Sequence, residues 1–307
     1  MPETIQPGVR AVIPMRNRII LAVLTASVGW GLAGVGTRAA YELGASTLTV
    51  LAIRTAVATA ALVAFTTVTR VTPTRLAWRH GGLVGALRIG LAPLLFMSSL
   101  NYISAGVEGL IITLVPATTA VMAAVLINER VTRRQITGLL IGLVGTTLIA
   151  LSGESGLGAE GDVITGFLFA GAGVIVGSLS GVLQRRFAPL HDTAELALPM
   201  FISGLAVALV VGIVTGFKAT NGLGADLWVL LVILGLGSTL LPFGATLYAS
   251  KHASAMIVAI TGYIAPLVAV VGGVMLLDEE LTGVILVGGA LASIGVALVG
   301  GVRRTPT

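Results

Sequence analysis

Cysteine is absent from this 307-residue chain. Its absence removes disulfides, thiol nucleophiles and thiolate metal sites. Charge is also scarce, at 10% of residues, where a soluble domain carries about 25%. Aromatics make up only 5%. The three histidines, His80, His191 and His252, each lie near a basic residue in a short predicted loop, and no metal-ligand spacing links them. No phosphate-binding loop of the GxxxxGK[ST] type occurs, which excludes ATP-driven work by this chain alone. HExxH, GxSxG and comparable catalytic signatures are missing too, so the sequence offers no enzyme chemistry. The net charge of +5 raises the question of nucleic acid. Distribution answers it: the charges sit in short loops and form no continuous basic face with interleaved aromatics.

What the chain has in abundance is apolar length. Hydrophobic residues make up 56% of it and the mean hydropathy is +1.03. Glycine occurs 41 times, and small residues let membrane helices approach closely. A membrane span needs about 20 apolar residues. Ten stretches qualify: 19–37, 45–68, 82–101, 105–127, 135–152, 163–184, 196–216, 227–248, 254–277 and 281–301. Their connections are short and leave no room for a soluble domain. Long unbroken runs predict helices rather than barrel strands. The amino-terminal run follows Arg16 and Arg18, but Trp30-Gly31 stands where a signal peptide would need a small-residue cleavage site. It reads as a retained span.

Loop charges set the orientation. With the amino terminus inside, the inner loops and tails hold Arg10, Arg16, Arg18, Arg70, Arg75, Arg79, Arg130, Arg133, Arg134, Arg185, Arg186, Lys251, Arg303 and Arg304. The outer loops hold only Arg38 and Lys218 among the basic residues, but most of the acids. Both termini are therefore expected in the cytoplasm.

The chain also repeats itself. A segment starting at Ser104-Ala105 recurs at Ser254-Ala255 without a gap: Pro116 falls on Pro266, Glu129 on Glu279, Thr132 on Thr282, Gly138 on Gly288 and Gly145 on Gly295. Five spans per copy is an odd number, so the second copy must enter the membrane upside down. The expected architecture is all-α and polytopic, with ten transmembrane helices as two inverted five-helix repeats. The expected units are a cytoplasmic tail 1–18, a first repeat 19–152, a second repeat 163–301 and a short tail 302–307.

Three ionisable residues fall inside predicted spans: Arg54, Arg88 and Glu108. Such groups are costly in hydrocarbon and face a cavity or a partner. Arg54 lies about 13 Å in from the outer end of its span, and Glu108 lies near the outer end of the fourth. Both are candidates for substrate handling, and Glu108, the only embedded carboxylate, is also the candidate for proton coupling. Arg88 lies about 9 Å from the inner end of the third span, which suits a side chain that snorkels to the surface. Trp30, Asn101, Thr261 and Tyr263 complete the candidate binding set. Pro93, Pro116, Pro242 and Pro266 interrupt spans at nearly matching repeat positions and are candidates for helix breaks or gating. Gly138 and Gly142, echoed by Gly288 and Ala292, make a small-residue stripe that serves either internal packing or a homodimer contact.

These residues resemble the EamA branch of the drug/metabolite transporter superfamily. The resemblance rests on Trp30-Gly31, on Leu51 to Arg54, and on Ser104-Ala105, Pro116 and Asn128-Glu129-Arg130. Ser254-Ala255, Pro266 and Asp278-Glu279-Glu280 repeat the last pattern. Arg54 has no partner in the second copy, where Pro199 occupies the aligned place. The resemblance implies a secondary transporter of a bacterial cytoplasmic membrane that moves a small metabolite or drug-like solute, amino acids among them, through a central cavity by alternating access. It implies no enzyme activity, no cofactor and no metal. A lipid-linked flippase is the nearer alternative; a membrane-embedded enzyme or a non-transporting scaffold is the more distant one. Glu129 and Glu279, at span ends, are expected to be structural, each capping the helix that follows.

Overall fold

The computed structural model describes residues 14–127, 132–152, 162–217, 224–252 and 261–300. Every regular element among them is a helix. In chain order these are α1 (Met15–Glu42), α2 (Thr47–Thr69), α3 (Arg75–Ser99), α4 (Ala105–Ile127) and α5 (Arg133–Ser152), then α6 (Val163–Phe187), α7 (Thr193–Thr215), α8 (Ala225–Ala249), α9 (Thr261–Leu277) and α10 (Gly283–Gly300). Seven of them, α1 to α4 and α6 to α8, are long and apolar enough to cross a membrane. The chain is thus a multi-pass membrane protein. Helices α5, α9 and α10 hold shorter apolar stretches, at Ile136–Ile149, Ile264–Leu277 and Gly283–Gly295.

Local chemistry sets the ends. Ser46, Thr74, Ser104 and Asp162 each accept the backbone N–H three residues on, so each caps the helix that follows. Helix α1 starts at Met15, which puts Arg16 and Arg18 on its first turn rather than in a tail. Within the helices, buried hydroxyls return to their own backbone, as Ser27 does to the Val23 carbonyl and Thr59 to the Thr55 carbonyl. Each of these hydroxyls thus satisfies its donor without water.

Two long rods are not α-helical throughout. Helix α3 widens into a π-turn at Ala86–Leu91 and α8 does so at Leu236–Leu240. Each π-turn is followed by a proline, Pro93 or Pro242. A proline offers no N–H and crowds the carbonyl four residues back. Widening the turn relieves that clash and re-pairs the neighbouring groups. In α4 the break is a single turn residue, Thr113, three positions before Pro116. Pro266, by contrast, sits inside an unbroken α9.

Helices from the first half of the chain pack chiefly on helices of the second. Helix α1 lies on α8 and α9, while α6 lies on α3 and α4. Helix α3 lies on α7, and α8 on α2. Helices α5 and α10 lie on each other through their glycines. A side chain at Gly295 would sit 2.5 Å from the Gly138 carbonyl oxygen, and one at Gly145 would strike the Gly288 carbonyl. The numbers rise along one helix as they fall along the other, so the pair is antiparallel. The small-residue stripe is thus consumed inside the chain.

One end of the bundle brings Met15 to Tyr248, and His80 to Phe187 and His191. His80 is on α3, not in a loop; it stacks on Phe187 at 3.9 Å between ring centroids and lies 3.0 Å from His191 Nε2. The opposite end joins Asn101 to Thr47, Arg38 to the Leu100 carbonyl and Glu279 to the start of α4.

Candidate functional site

A cavity of about 210 Å³ opens between the two halves of the chain. Trp30, Gly34 and Thr37 of α1 line it, with Leu51, Arg54 and Thr55 of α2. Both π-turns face it, through Arg88 and Ile89 of α3 and through Ser238 and Thr239 of α8. Phe96, Met97, Glu108, Ile112, Val115 and Phe243 close much of the rest. Most of the lining is apolar, and the few polar groups converge from five helices, as in small-molecule sites generally.

Arg54 is held from several sides. Its Nε donates to Thr239 Oγ1 at 3.0 Å, its Nη2 reaches the Ser238 carbonyl at 3.5 Å, and its Nη1 points at Met97 Sδ at 3.9 Å. Ser238 is the residue four before Pro242, so its carbonyl has lost its ordinary helical donor. The guanidinium fills that vacancy and ties α2 to the π-turn of α8. Thr239 passes the tie on by donating to the Leu234 carbonyl at 2.9 Å. Beside this, Tyr41 donates to the Met97 carbonyl at 2.7 Å and also meets Thr47.

Arg88 is held by much less. Its Nε is buried with no hydrogen-bond partner. Its guanidinium lies 5.9 Å from the centroid of the Trp30 ring, within cation–π range. The side chain expected to snorkel to the surface therefore lines the cavity instead. The misreading has a physical source: the π-turn rotates the residues after Gly85, and straight-helix geometry from the span end cannot anticipate it.

Glu108 is 5% exposed and borders the same cavity. Its Oε2 lies 3.0 Å from where a side chain on Gly34 would begin, so the glycine gives the carboxylate room.

The remaining predicted residues separate. Pro93 lines the cavity. Pro242 is buried against Gly29 of α1, behind the π-turn. Pro116 is exposed, although the break it imposes lies between the lining residues Ile112 and Val115. Pro266 is buried and faces Gly109. Asn101 is exposed at the end of the bundle, where its Nδ2 donates to Thr47 Oγ1 at 3.2 Å and to the Ser98 carbonyl at 3.1 Å. Thr261 begins α9, away from the cavity lining. Tyr263 belongs to α9, but its side chain lies outside the described residues, as do Asn128-Glu129-Arg130 and Ser254-Ala255. Missed in the sequence were Ser238 and Thr239, whose only signal was their place just before Pro242.

Glu279 does cap a helix, but not the one that follows it. Its Oε1 accepts from Ala105 N–H at 2.7 Å and its Oε2 from Gly106 N–H at 3.0 Å, at the start of α4. The carboxylate thus meets the positive end of a helix in the other half of the chain. Burial nevertheless moves its titration upward; the two backbone amides, Ser104 and Arg38 act in the opposite direction. Among the described residues, no cluster of three or more His, Asp or Glu side chains could hold a metal.

The profile of the EamA-like transporter family matches residues 17–151 and again 164–301. This chain belongs to that family. The family is described as one of transporters. The chain's curated relatives carry names of the same kind. It is 25% identical over 191 residues to the aromatic amino acid exporter YddG of Ancylobacter novellus, an alignment covering 62% of this chain and 63% of that one. It is 29% identical over 209 residues to a probable terminal-alkyne amino-acid exporter of Streptantibioticus cattleyicolor, covering 66% of each. The chain thus spans just under two thirds of the length of these two relatives. A solved crystal structure shares the fold, with a TM-score of 0.63 and 23% identity over 92% of this chain and 96% of that one.

Proposed function

We propose that this EamA-like protein is a secondary exporter of amino acids or related small metabolites, working by alternating access across a bacterial cytoplasmic membrane. The observation that carries the reading is the cavity between the halves, bordered by Trp30, Arg54 and Glu108 and flanked by both π-turns. Interrupted helices at matching positions of a repeat mark substrate sites in transporters of this architecture. The names of the relatives support the solute class.

In this reading the units 19–152 and 163–301 are inverted five-helix repeats, and all ten predicted spans cross the membrane. Three features support it. The family profile matches twice, at 17–151 and 164–301. The π-turns begin 150 residues apart. The α5–α10 glycine contacts are reciprocal: Gly138 meets Gly295 and Gly145 meets Gly288, which is what a local two-fold axis generates. Both termini then face the cytoplasm, with the end that holds His80 and Tyr248 inside. The cavity is built by one chain, so transport needs no homodimer.

Glu108 is the proton-coupling group of this mechanism. Carboxylates that carry protons across membranes sit in such water-accessible interior positions. The test is flux in proteoliposomes under an imposed pH gradient. Glu108→Gln should abolish gradient-driven flux while leaving the melting temperature within a few degrees of wild type. Unchanged flux with unchanged pH dependence would sink the coupling role, and absence of any amino-acid flux in wild type would sink the exporter reading.

A further inference from the structure

Two guanidinium groups border the cavity, Arg54 buried and Arg88 half-buried, and the structure treats them differently. Arg54 has its Nε bonded to Thr239 and both terminal nitrogens directed at protein atoms. Arg88 has its Cζ 5.9 Å from the centroid of the Trp30 ring and its Nε buried without an acceptor. An unsatisfied buried donor on a charged group is costly, and proteins rarely leave one without a purpose. Much of the cavity lining is apolar, Ile89, Ala92, Phe96 and Phe243 among it. Glu108, the one acid of the lining, comes from α4 and has no hydrogen bond with Arg88.

We propose that Arg88 is the seat of the substrate's carboxylate, and that Arg54 is a structural clamp that does not read the substrate. The inference rests on the reading that this cavity holds the transported solute, and it names the group by which the solute is recognised. The end of an Arg side chain presents one N–H from each Nη in parallel, which matches the two oxygens of a carboxylate. Arg88 Cζ lies over the Trp30 ring and its Nε is enclosed, so a ligand in the cavity meets the terminal nitrogens. A ligand body packed against Phe96 and Phe243 would be apolar or aromatic. The chemical class is therefore a small organic acid with an apolar side chain. The carboxylate is essential to it, and an amide or ester of the same compound is not a ligand.

The experiment reads binding and transport separately. Trp30 reports binding by fluorescence once Trp78 and Trp228 are replaced by Phe; the three are the only tryptophans in the chain. The probes are L-phenylalanine, L-leucine, 3-phenylpropionate and L-phenylalaninamide, added to the purified full-length protein in detergent. The acids should bind, and the amide should not. Arg88→Gln should weaken the acids by about tenfold to a hundredfold, the range expected for losing a charge-assisted pair. Arg88→Lys, which keeps the charge but loses the fork, should fall between and guards against misfolding of the first variant. Arg54→Gln should lower the melting temperature more than Arg88→Gln does. Acids that bind Arg88→Gln as well as wild type, an amide that binds as well as its acid, or acids that fail to bind wild type would each overturn the proposal. Acid binding that depends on Arg88 without flux in proteoliposomes would sustain the site and sink the exporter reading. Flux of the amide, unaffected by Arg88→Gln, would do the reverse.

Discussion

The π-turn of α3 and the π-turn of α8 are the same device used for two purposes. They begin 150 residues apart, at Ala86 and Leu236, and each precedes a proline. Residue 88 falls on residue 238, so Arg88 of one corresponds to Ser238 of the other. Around α8 the turn is occupied: Arg54 donates to Thr239 and to the Ser238 carbonyl. Around α3 the turn is not: Arg88 projects from it with a free Nε. The helix behind each turn explains the difference. Gly235 abuts the Arg54 carbonyl of α2, and its echo Gly85 abuts the Met200 backbone of α7. By these contacts the counterpart of Arg54 is Met200, one residue on from the Pro199 that sequence alignment alone places there. An apolar residue stands where a clamp would be, and the α3 turn keeps a cation held only by the Trp30 ring. Both turns line the cavity, but only the α8 turn is braced by an arginine from another helix.

The comparison can be broken first at its shared foundation. Gly85→Leu and Gly235→Leu should be equally damaging, because each drives a side chain into the helix packed on it. A loss of about 3 kcal/mol is expected for overpacking of this kind, and the polytopic fold should not survive detergent extraction. Monodispersity on size exclusion measures it. A mild effect at one glycine alone would show that the two turns are not equivalent supports.

The two arginines should separate next. Arg54→Leu leaves Thr239 and the Ser238 carbonyl without their donor and should cost about 2 kcal/mol. Arg88→Leu removes a buried unsatisfied donor and should leave the melting temperature unchanged or higher while flux is lost. Thermal melts of both variants beside proteoliposome flux decide the matter. Equal destabilisation would refute the division of labour.

A smaller effect is expected from the cap that joins the halves. Glu279→Gln retains one acceptor for the Ala105 and Gly106 amides and loses the charge facing the start of α4, a cost of about 1 kcal/mol. Melting of this variant against wild type is the measurement. No change would mean that Ser104 alone suffices as the cap.

The smallest effect concerns two helix starts. Asp162 caps α6 through the Thr165 N–H and hydroxyl, whereas Pro14 before α1 makes no side-chain cap. These hydrogen bonds hold the Asp162 carboxyl below its ordinary range. A lowered value in the folded state means stabilisation that is present above the ordinary carboxyl titration and disappears as pH falls through the lowered one. Asp162→Ala should therefore melt slightly earlier at neutral pH, and the difference from wild type should vanish in acid. A gap that persists at low pH would point to packing rather than to charge.

Much of this molecule was legible one residue at a time. Helix follows from long apolar runs, because lipid leaves the backbone no other partner. The spans expected to start at 105 and 163 do start there, where Ser104 and Asp162 cap the helices. The 150-residue echo was visible without coordinates, as were Arg54 and Glu108 as embedded charges. Arg88 was visible but misjudged, because its depth was measured along a straight helix. Glu279 was rightly seen as a cap and assigned to the wrong helix, because sequence gives the nearest helix start and packing supplied a different one.

Composition and periodicity therefore determined by themselves that this is a helical membrane protein of duplicated plan, since both are properties of single segments and their solvent. Which arginine is tied and which is free was decided only in the tertiary structure. That outcome depends on what each neighbouring helix presents across a gap of a few ångströms: Thr239 and the Ser238 carbonyl toward Arg54, an aromatic ring and apolar walls toward Arg88.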